Sequence, residues 1–287
     1  MEKERKRPED RAVDAASVET IRKAEKDNVR LSFFRLDEQG NQCGFGKSGV
    51  CCRICHMGPC RITAKNRFGV CGADADTIVA RNYLREVAGG SAAHSDHGRH
   101  LVLLLKKISE GKGGGYSIKD PAALKRMAKD YGITVDGKTD AALAGELADI
   151  MLADFTAQEE YLKTLELAPL KRQGVWERLE VKPHGVDRMI VESLHRTHMG
   201  VDHDYKNILM HAFRTSLADG WGGSRIASQV SDILFGTPYP VRSTANLGVL
   251  GEKTVNVVVH GHEPALSEML AAASSDPEII DYAKKAG

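Results

Sequence analysis

All six cysteines of this 287-residue chain fall between Cys43 and Cys71, and none follows. A disulfide framework spreads its bridges over a fold to staple distant segments together, so crowding of this kind sets that architecture aside. Thiols gathered in one short window predict a metal or redox centre. The stretch 31–71 also loses the apolar periodicity of helices and strands and fills with glycine, cysteine and basic residues. That pattern is expected where a bound group, and not a hydrophobic core, orders the backbone.

The spacing is Cys43-x7-Cys51-Cys52-x2-Cys55-x4-Cys60-x10-Cys71. Cys52, Cys55, Cys60 and Cys71 form a set of the size that wraps one [4Fe-4S] cube, with a short loop of thiolates and a more distant ligand. Cys43 and Cys51 remain. Two thiolates cannot complete a cube, but a twofold axis supplies two more from a second copy of the chain, giving one cluster shared at an isologous interface. Adjacent Cys51 and Cys52 can serve different clusters because neighbouring side chains of an extended segment point opposite ways. Arg53, Arg61, Lys65 and Arg67 suit an anionic thiolate cluster, and Gly44, Gly46, Gly49, Gly58 and Gly69 permit close backbone approach. The competing readings are zinc and a structural thiol nest. Structural zinc prefers paired knuckles, and only one C-x2-C is present. His56 is an alternative ligand by type, but it reads as a loop residue beside the ligands.

The rest of the chain reads as a globular body. Forty Lys plus Arg against 39 Asp plus Glu leave a formal charge of +1, without the basic footprint of a nucleic-acid binder. The densely charged start is no secretory signal, and no window approaches a membrane span, so a cytoplasmic protein is expected. After a solvated arm, apolar periodicity predicts helices over 15–27, 74–87, 92–108, 121–129, 139–155, 187–196, 205–219 and 224–235. A β-branched run at 254–259, the turn His260-Gly-His-Glu-Pro264 and a helix over 265–273 then read as the opening of an α/β unit, with another helix begun at Asp276-Pro277. The fold class is a mainly α domain carrying an iron–sulfur segment, followed by the start of a Rossmann-like domain. Its boundaries are an arm and short helix at 1–30, the cluster segment at 31–73, a helical domain at 74–236 and the α/β beginning at 237–287. Gly111-Lys-Gly-Gly-Gly115 lacks the P-loop pattern and reads as a linker, and no G-x-S-x-G is present.

His94, His97 and His100 recur every third residue of a predicted helix and wind slowly around one side, an arrangement that can pass protons through intervening waters. The alternative is a polar helix face, since Ser95, Asp96, Gly98 and Arg99 fill the gaps. His260 and His262 leave the end of the 254–259 strand, where open α/β sheets place their ligands; the alternative is a pair of turn histidines that bond only to backbone. His195, His198, His203 and His211 read as surface or satisfied core residues.

Taken together, Cys51-Cys-Arg-Ile-Cys-His-Met-Gly-Pro-Cys-Arg61, Gly69-Val-Cys-Gly-Ala73, Thr77-Ile-Val-Ala-Arg-Asn82, Ala92-Ala-His-Ser-Asp-His-Gly-Arg-His100, Asp232-Ile-Leu-Phe-Gly-Thr-Pro238, Asn246-Leu-Gly-Val-Leu250 and His260-Gly-His-Glu-Pro264 closely resemble, in order, the N-terminal part of the catalytic subunit of anaerobic nickel–iron carbon monoxide dehydrogenases. The resemblance implies a homodimer that interconverts CO plus water with CO2, two protons and two electrons at a nickel–iron–sulfur C-cluster. It implies a [4Fe-4S] B-cluster on Cys52, Cys55, Cys60 and Cys71, and a D-cluster on Cys43 and Cys51 of both subunits. The x7 spacing resembles the [4Fe-4S] form of that shared cluster. His262 maps to the ligand of the C-cluster iron, and His94, His97 and His100 to a proton path with His94 innermost, where a fourth histidine of some members is replaced by Leu103. The implied partners are a ferredoxin-type electron acceptor and, in some assemblies, acetyl-CoA synthase. The family's chains are longer, and with no cysteine after Cys71 this chain lacks the thiolates of the C-cluster. It is therefore expected to be a fragment or one half of a split enzyme, inactive alone. Two other readings remain at this point: an electron-transfer module with no chemistry of its own, and a relative of the hybrid-cluster (hydroxylamine reductase) proteins, against which the C-x7-CC arrangement and the histidine row argue.

Overall fold

A computed structural model of the chain describes residues 6–240, 256, 258, 259 and 264–286. By its internal contacts the polypeptide divides into two units, one containing Met1–Ser48 and the other Gly49–Pro240 with Val257–Gly287. In the first, α1 (Ala15–Lys26) starts at Asp14, whose carboxylate accepts the Ser17 amide at 2.8 Å. This is the N-cap geometry that satisfies an orphan donor of the first turn. Two short helices follow, α2 (Ser32–Glu38) and α3 (Gly44–Lys47), in a stretch whose sequence showed no period. They are too short for one: α2 buries only Phe34 and α3 buries nothing. Arg11 pairs with Asp37 and lies over the Phe33 ring, 5.3 Å from its centre.

The second unit opens with an antiparallel pair, β1 (Cys51–Cys52) and β2 (Cys60–Arg61), and is then built around α4 (Ala75–Ser109). Asp74 caps α4 by accepting the Thr77 amide at 2.8 Å. At 1.5 Å per residue the helix runs for about 50 Å. Its buried side steps by threes and fours through Ile78, Arg81, Leu84, Ala88, Ser91, Ser95, Gly98, Leu101, Val102 and Leu105, the stripe of an amphipathic helix. Against it pack α6 (Asp140–Thr156), α8 (Val186–Arg196), α9 (Tyr205–Leu217) and α10 (Arg225–Phe235), with α5 (Pro121–Asp130) lying on α6. Leu101, Leu105, Leu124, Leu143, Leu147, Met151, Phe155, Ile226 and Ile233 belong to one core, and a smaller cluster of Ala80, Leu84, Ile208 and Ala212 lies toward the cysteine end of α4.

Most helices stand where periodicity and caps placed them, and the mainly α expectation holds. Three differences have physical causes. The break expected at Gly89-Gly90 does not occur, because the buried stripe runs unbroken from Ala88 to Ser91. Glycine costs roughly 1 kcal/mol per helical position, less than burying the apolar side chains on either side returns. The helices expected over 205–219 and 224–235 are joined by a wider, π-type turn, Ala218–Ser224. Finally, α7 (Leu170–Arg178) and a 3-10 turn (Lys163–Leu167) were not anticipated; α7 buries only Trp176 and so shows no apolar stripe.

Helices α11 (Pro264–Ser275) and α12 (Pro277–Ala286) agree with expectation. Of the strand expected over 254–259, only Asn256, Val258 and Val259 are described, and these belong to no regular element. The remainder, the 246–250 motif and His260 and His262 lie outside the described residues. Among the described residues no helix is long and apolar enough to cross a membrane.

Candidate metal centre and histidine row

The β1–β2 register pairs Cys52 with Cys60 and Cys51 with Arg61. Directly opposed residues of an antiparallel pair project from the same face, and successive residues of one strand from opposite faces. Cys52 and Cys60 therefore look one way, and Cys51 and Arg61 the other. On the Cys52 side, Cys52, Cys55, Cys60 and Cys71 line a single pocket together with Ile54, Gly69, Val70, Ala73, Ile78, Arg81 and Met199. None of the six cysteines is in a disulfide. Among the described residues no three His, Cys, Asp or Glu side chains are grouped to hold a single metal ion.

The backbone around the pocket is tightly constrained. A β-carbon on Gly58 would stand 2.9 Å from the Cys60 nitrogen and 3.0 Å from the Cys52 oxygen, so only glycine fits between the two strands' ends. The Val70 amide points at Cys60 Sγ at 3.5 Å. The Asn82 side chain donates to the carbonyls of Gly49 (3.0 Å) and Cys51 (3.2 Å), pinning β1 to α4. His203 Nε2 lies 2.9 Å from the Cys71 carbonyl, and Thr77 Oγ1 donates to the His203 carbonyl at 2.8 Å, so the loop before α9 is fastened to the pocket's edge. Burial works against ionisation of the Cys71 thiol. The amide of Ala73, the Arg81 guanidinium, the amide of Gly200 and His203 outweigh it and bring the thiol down to about 7. A thiol so disposed is ready to act as a thiolate ligand.

Arg81 decides what the pocket suits. It is 1% exposed, and it donates from Nη1 to Cys71 Sγ at 3.6 Å and from Nη2 to the Asp202 carbonyl; its buried Nε has no hydrogen-bond partner. The nearby Asp202 carboxylate is directed elsewhere, to Arg196 (3.3 Å), Asn207 (2.9 Å) and the Asp204 amide (3.0 Å). A buried charge without an opposite charge is costly. An anionic cluster of four thiolates would supply it, so the donor set and the orphaned guanidinium nitrogen together fit an iron–sulfur group. Arg53, Arg61, Lys65 and Arg67, expected to play this part, are all exposed. Arg81 was missed as a functional residue; its signal was a charged side chain on the apolar stripe of a predicted helix. His56 is exposed and does not line the pocket. Cys43 is exposed and precedes α3 in the first unit.

The histidine row lies on the middle of α4. His94 Nδ1 is 2.7 Å from Asp219 Oδ1 and 3.1 Å from Ser224 Oγ, both on the π-type turn. A neutral His94 donating Nδ1–H to Asp219 keeps Nε2 available to accept a proton. The close crossing that brings these groups together depends on glycine. A β-carbon on Gly98 would lie 2.8 Å from the Gly223 carbonyl, and one on Gly223 would lie 2.9 Å from the Ser95 nitrogen. His97 is half-buried, while His100 is exposed with Nε2 3.8 Å from the Asp96 carboxylate. His94 is itself exposed, so His97 is the most buried member of the row. Of the residues between the histidines, Ser95 and Gly98 are buried and Asp96 is exposed. Asp219 and Ser224 escaped sequence reading because they lie far from the row along the chain. His211 is a fully buried core histidine with Nε2 3.3 Å from the Met189 carbonyl, but it is not the satisfied one expected, because its Nδ1 has no hydrogen-bond partner.

Comparison with known proteins bears directly on these features. Residues 50–287 match the Prismane/CO dehydrogenase family. The chain belongs to this family. Carbon monoxide dehydrogenase 1 of Methanosarcina mazei is 50% identical over 281 residues, covering 97% of this chain and 45% of that protein. The carbon monoxide dehydrogenase/acetyl-CoA synthase subunit beta of Moorella thermoacetica is 42% identical over 284 residues, 97% of this chain and 42% of its own length. Among solved structures, a nickel-free crystal structure of carbon monoxide dehydrogenase from Thermococcus sp. AM4 superposes with a TM-score of 0.91 at 47% identity, covering 99% of this chain and 46% of that one. The chain therefore spans less than half the length of these family members.

Proposed function

We propose that this chain is the N-terminal, electron- and proton-handling portion of an anaerobic carbon monoxide dehydrogenase, for the interconversion of CO plus water with CO2, two protons and two electrons. The observation that carries this reading is the pocket in which four thiols and a buried arginine without a carboxylate partner face one another. Cys52, Cys55, Cys60 and Cys71 would hold a [4Fe-4S] B-cluster; Cys43 and Cys51, with the same residues of a second copy, a [4Fe-4S] D-cluster; and His262 the iron of a Ni-Fe-S C-cluster whose thiolates this chain does not contain. When bound, these groups supply the CO chemistry and one-electron transfer. The chain's own residues bind and orient them, and His94, oriented by Asp219, takes up and releases a proton at Nε2, with His97 and His100 leading outward. The opposed faces of Cys51 and Cys52 support the division into two clusters. We assign 31–73 to cluster binding, 74–236 to the helical domain and 237–287 to the beginning of a Rossmann-like domain. A cytoplasmic homodimer, a ferredoxin-type acceptor and, as the name of the Moorella relative suggests, an acetyl-CoA synthase partner belong to the same reading.

Iron content tests it. Anaerobically reconstituted chain should hold about six irons per polypeptide, four private and half of a shared four. The paired variant Cys43→Ser/Cys51→Ser should fall to about four and run as a monomer by native mass spectrometry. Four irons in the unmodified chain would remove the shared cluster.

A further inference from the structure

The four-cysteine pocket contains one group whose cost the protein's own residues do not offset. Arg81 lies on the buried stripe of α4, 1% exposed, with Nη1 on Cys71 Sγ, Nη2 on a backbone carbonyl and Nε unpartnered. The side chain of Asp202, whose backbone carbonyl accepts from Nη2, is held by Arg196 and Asn207. A guanidinium keeps its charge when buried, and without a cluster Arg81 faces one partly ionised thiol, Cys71, where a cluster would present four thiolates. Each electron added to a thiolate-ligated iron–sulfur cluster makes it more negative. A fixed positive charge and an N–H donor at a ligand sulfur therefore favour the reduced form.

We propose that Arg81 is the positioning and charge-compensating residue of the four-cysteine centre: it holds Cys71 in place, couples cluster loading to stability, and raises the reduction potential of the bound cluster. The proposal rests on the reading of that site as an iron–sulfur centre. Its sign differs from that of an ordinary core residue, because the arginine should cost stability without the cluster and contribute stability with it.

The experiment compares Arg81→Met, which fills similar volume without charge, and Arg81→Lys, which keeps the charge, in a Cys43→Ser background so that only the four-cysteine site loads. Loaded Arg81→Met should be harder to reduce. At the midpoint of the unsubstituted background, its ratio of oxidised to reduced cluster should rise about tenfold, a shift of about 59 mV for one electron, whereas Arg81→Lys should stay within about twofold. Without iron, Arg81→Met should melt at or above the temperature of the unsubstituted chain; loaded, it should melt below it. An unchanged potential in Arg81→Met would overturn the proposal while leaving the cluster assignment intact. Equal destabilisation of the empty and loaded forms, or failure of the empty variant to fold, would mean that Arg81 is merely structural and would also overturn it. Failure of the unsubstituted background to bind four irons would instead overturn the site assignment itself.

Discussion

Cys51 and Cys52 are neighbours in sequence, yet they project from opposite faces of a two-stranded ribbon, with Cys60 beside one and Arg61 beside the other. This was legible beforehand, because alternation is a property of any extended segment and the ligand count alone required two groups. The arginine that completes the site was not legible, since a charged residue on a helix is ordinarily solvated and only its place between Ile78 and Leu84 on the buried stripe marked it. Asp219 and Ser224 were hidden for another reason: their approach to His94 is made by a helix crossing that no local pattern encodes. At this scale the sharpest test is Gly58. A methyl group there would meet backbone atoms of both Cys52 and Cys60 within 3.0 Å, and backbone cannot turn aside as a side-chain tip can. Gly58→Ala should therefore open the cysteine loop and lower the iron bound per chain at least twofold. The far-ultraviolet circular dichroism of the helices, whose core lies elsewhere, should be unchanged. Normal iron content in that variant would show that the loop has slack the structure does not suggest.

The elements that were legible are those with both a cap and a stripe. Asp74, Asp120 and Thr139 each accept an amide of the following turn, at 2.8, 2.8 and 3.2 Å, and α4, α5 and α6 begin where those residues predicted. Helix α7, with one buried residue, offered no such signal. Glycine in α4 shows why local propensity misleads in either direction. Gly89 and Gly90 read as a break, but both are helical and a β-carbon on either would meet nothing within 4 Å. Gly98 read as one member of a polar face, but it lies against the Gly223 carbonyl and the Phe155 ring. Alanine substitution should separate the two cases. Gly89→Ala and Gly90→Ala should each stabilise the chain by about 0.4–1 kcal/mol, by removing freedom from the unfolded state. Gly98→Ala should cost about 1–3 kcal/mol through overpacking and separate α4 from the π-type turn. Urea denaturation distinguishes these signs directly, and a stabilising Gly98→Ala would contradict the close crossing that holds His94 to Asp219.

On the scale of the molecule, the proposed reading turns on the supply of thiolates. Four thiols line one pocket, and with Cys43 and Cys51 given to a shared cluster the proposed assignment leaves none of the six for a nickel site. The family members it matches are more than twice as long. In the proposed reading, this chain brings one imidazole, His262, to a centre whose thiolates must come from additional polypeptide. The residues to which that reading gives the proton, His94 with Asp219 and Ser224 beside it, meet within one unit of these 287 residues. The 287-residue chain, reconstituted with iron, sulfide and nickel, should give no CO-dependent reduction of a viologen dye. Co-production with a polypeptide corresponding to the remaining length of a family member should restore it, and Asp219→Asn in the restored assembly should lower turnover about tenfold or more, by removing the charge that orients His94, without changing iron content. Turnover by the chain alone would refute the argument from thiolate supply. Full activity with Asp219→Asn would show that the carboxylate–imidazole pair is structural and that the proton leaves by another route.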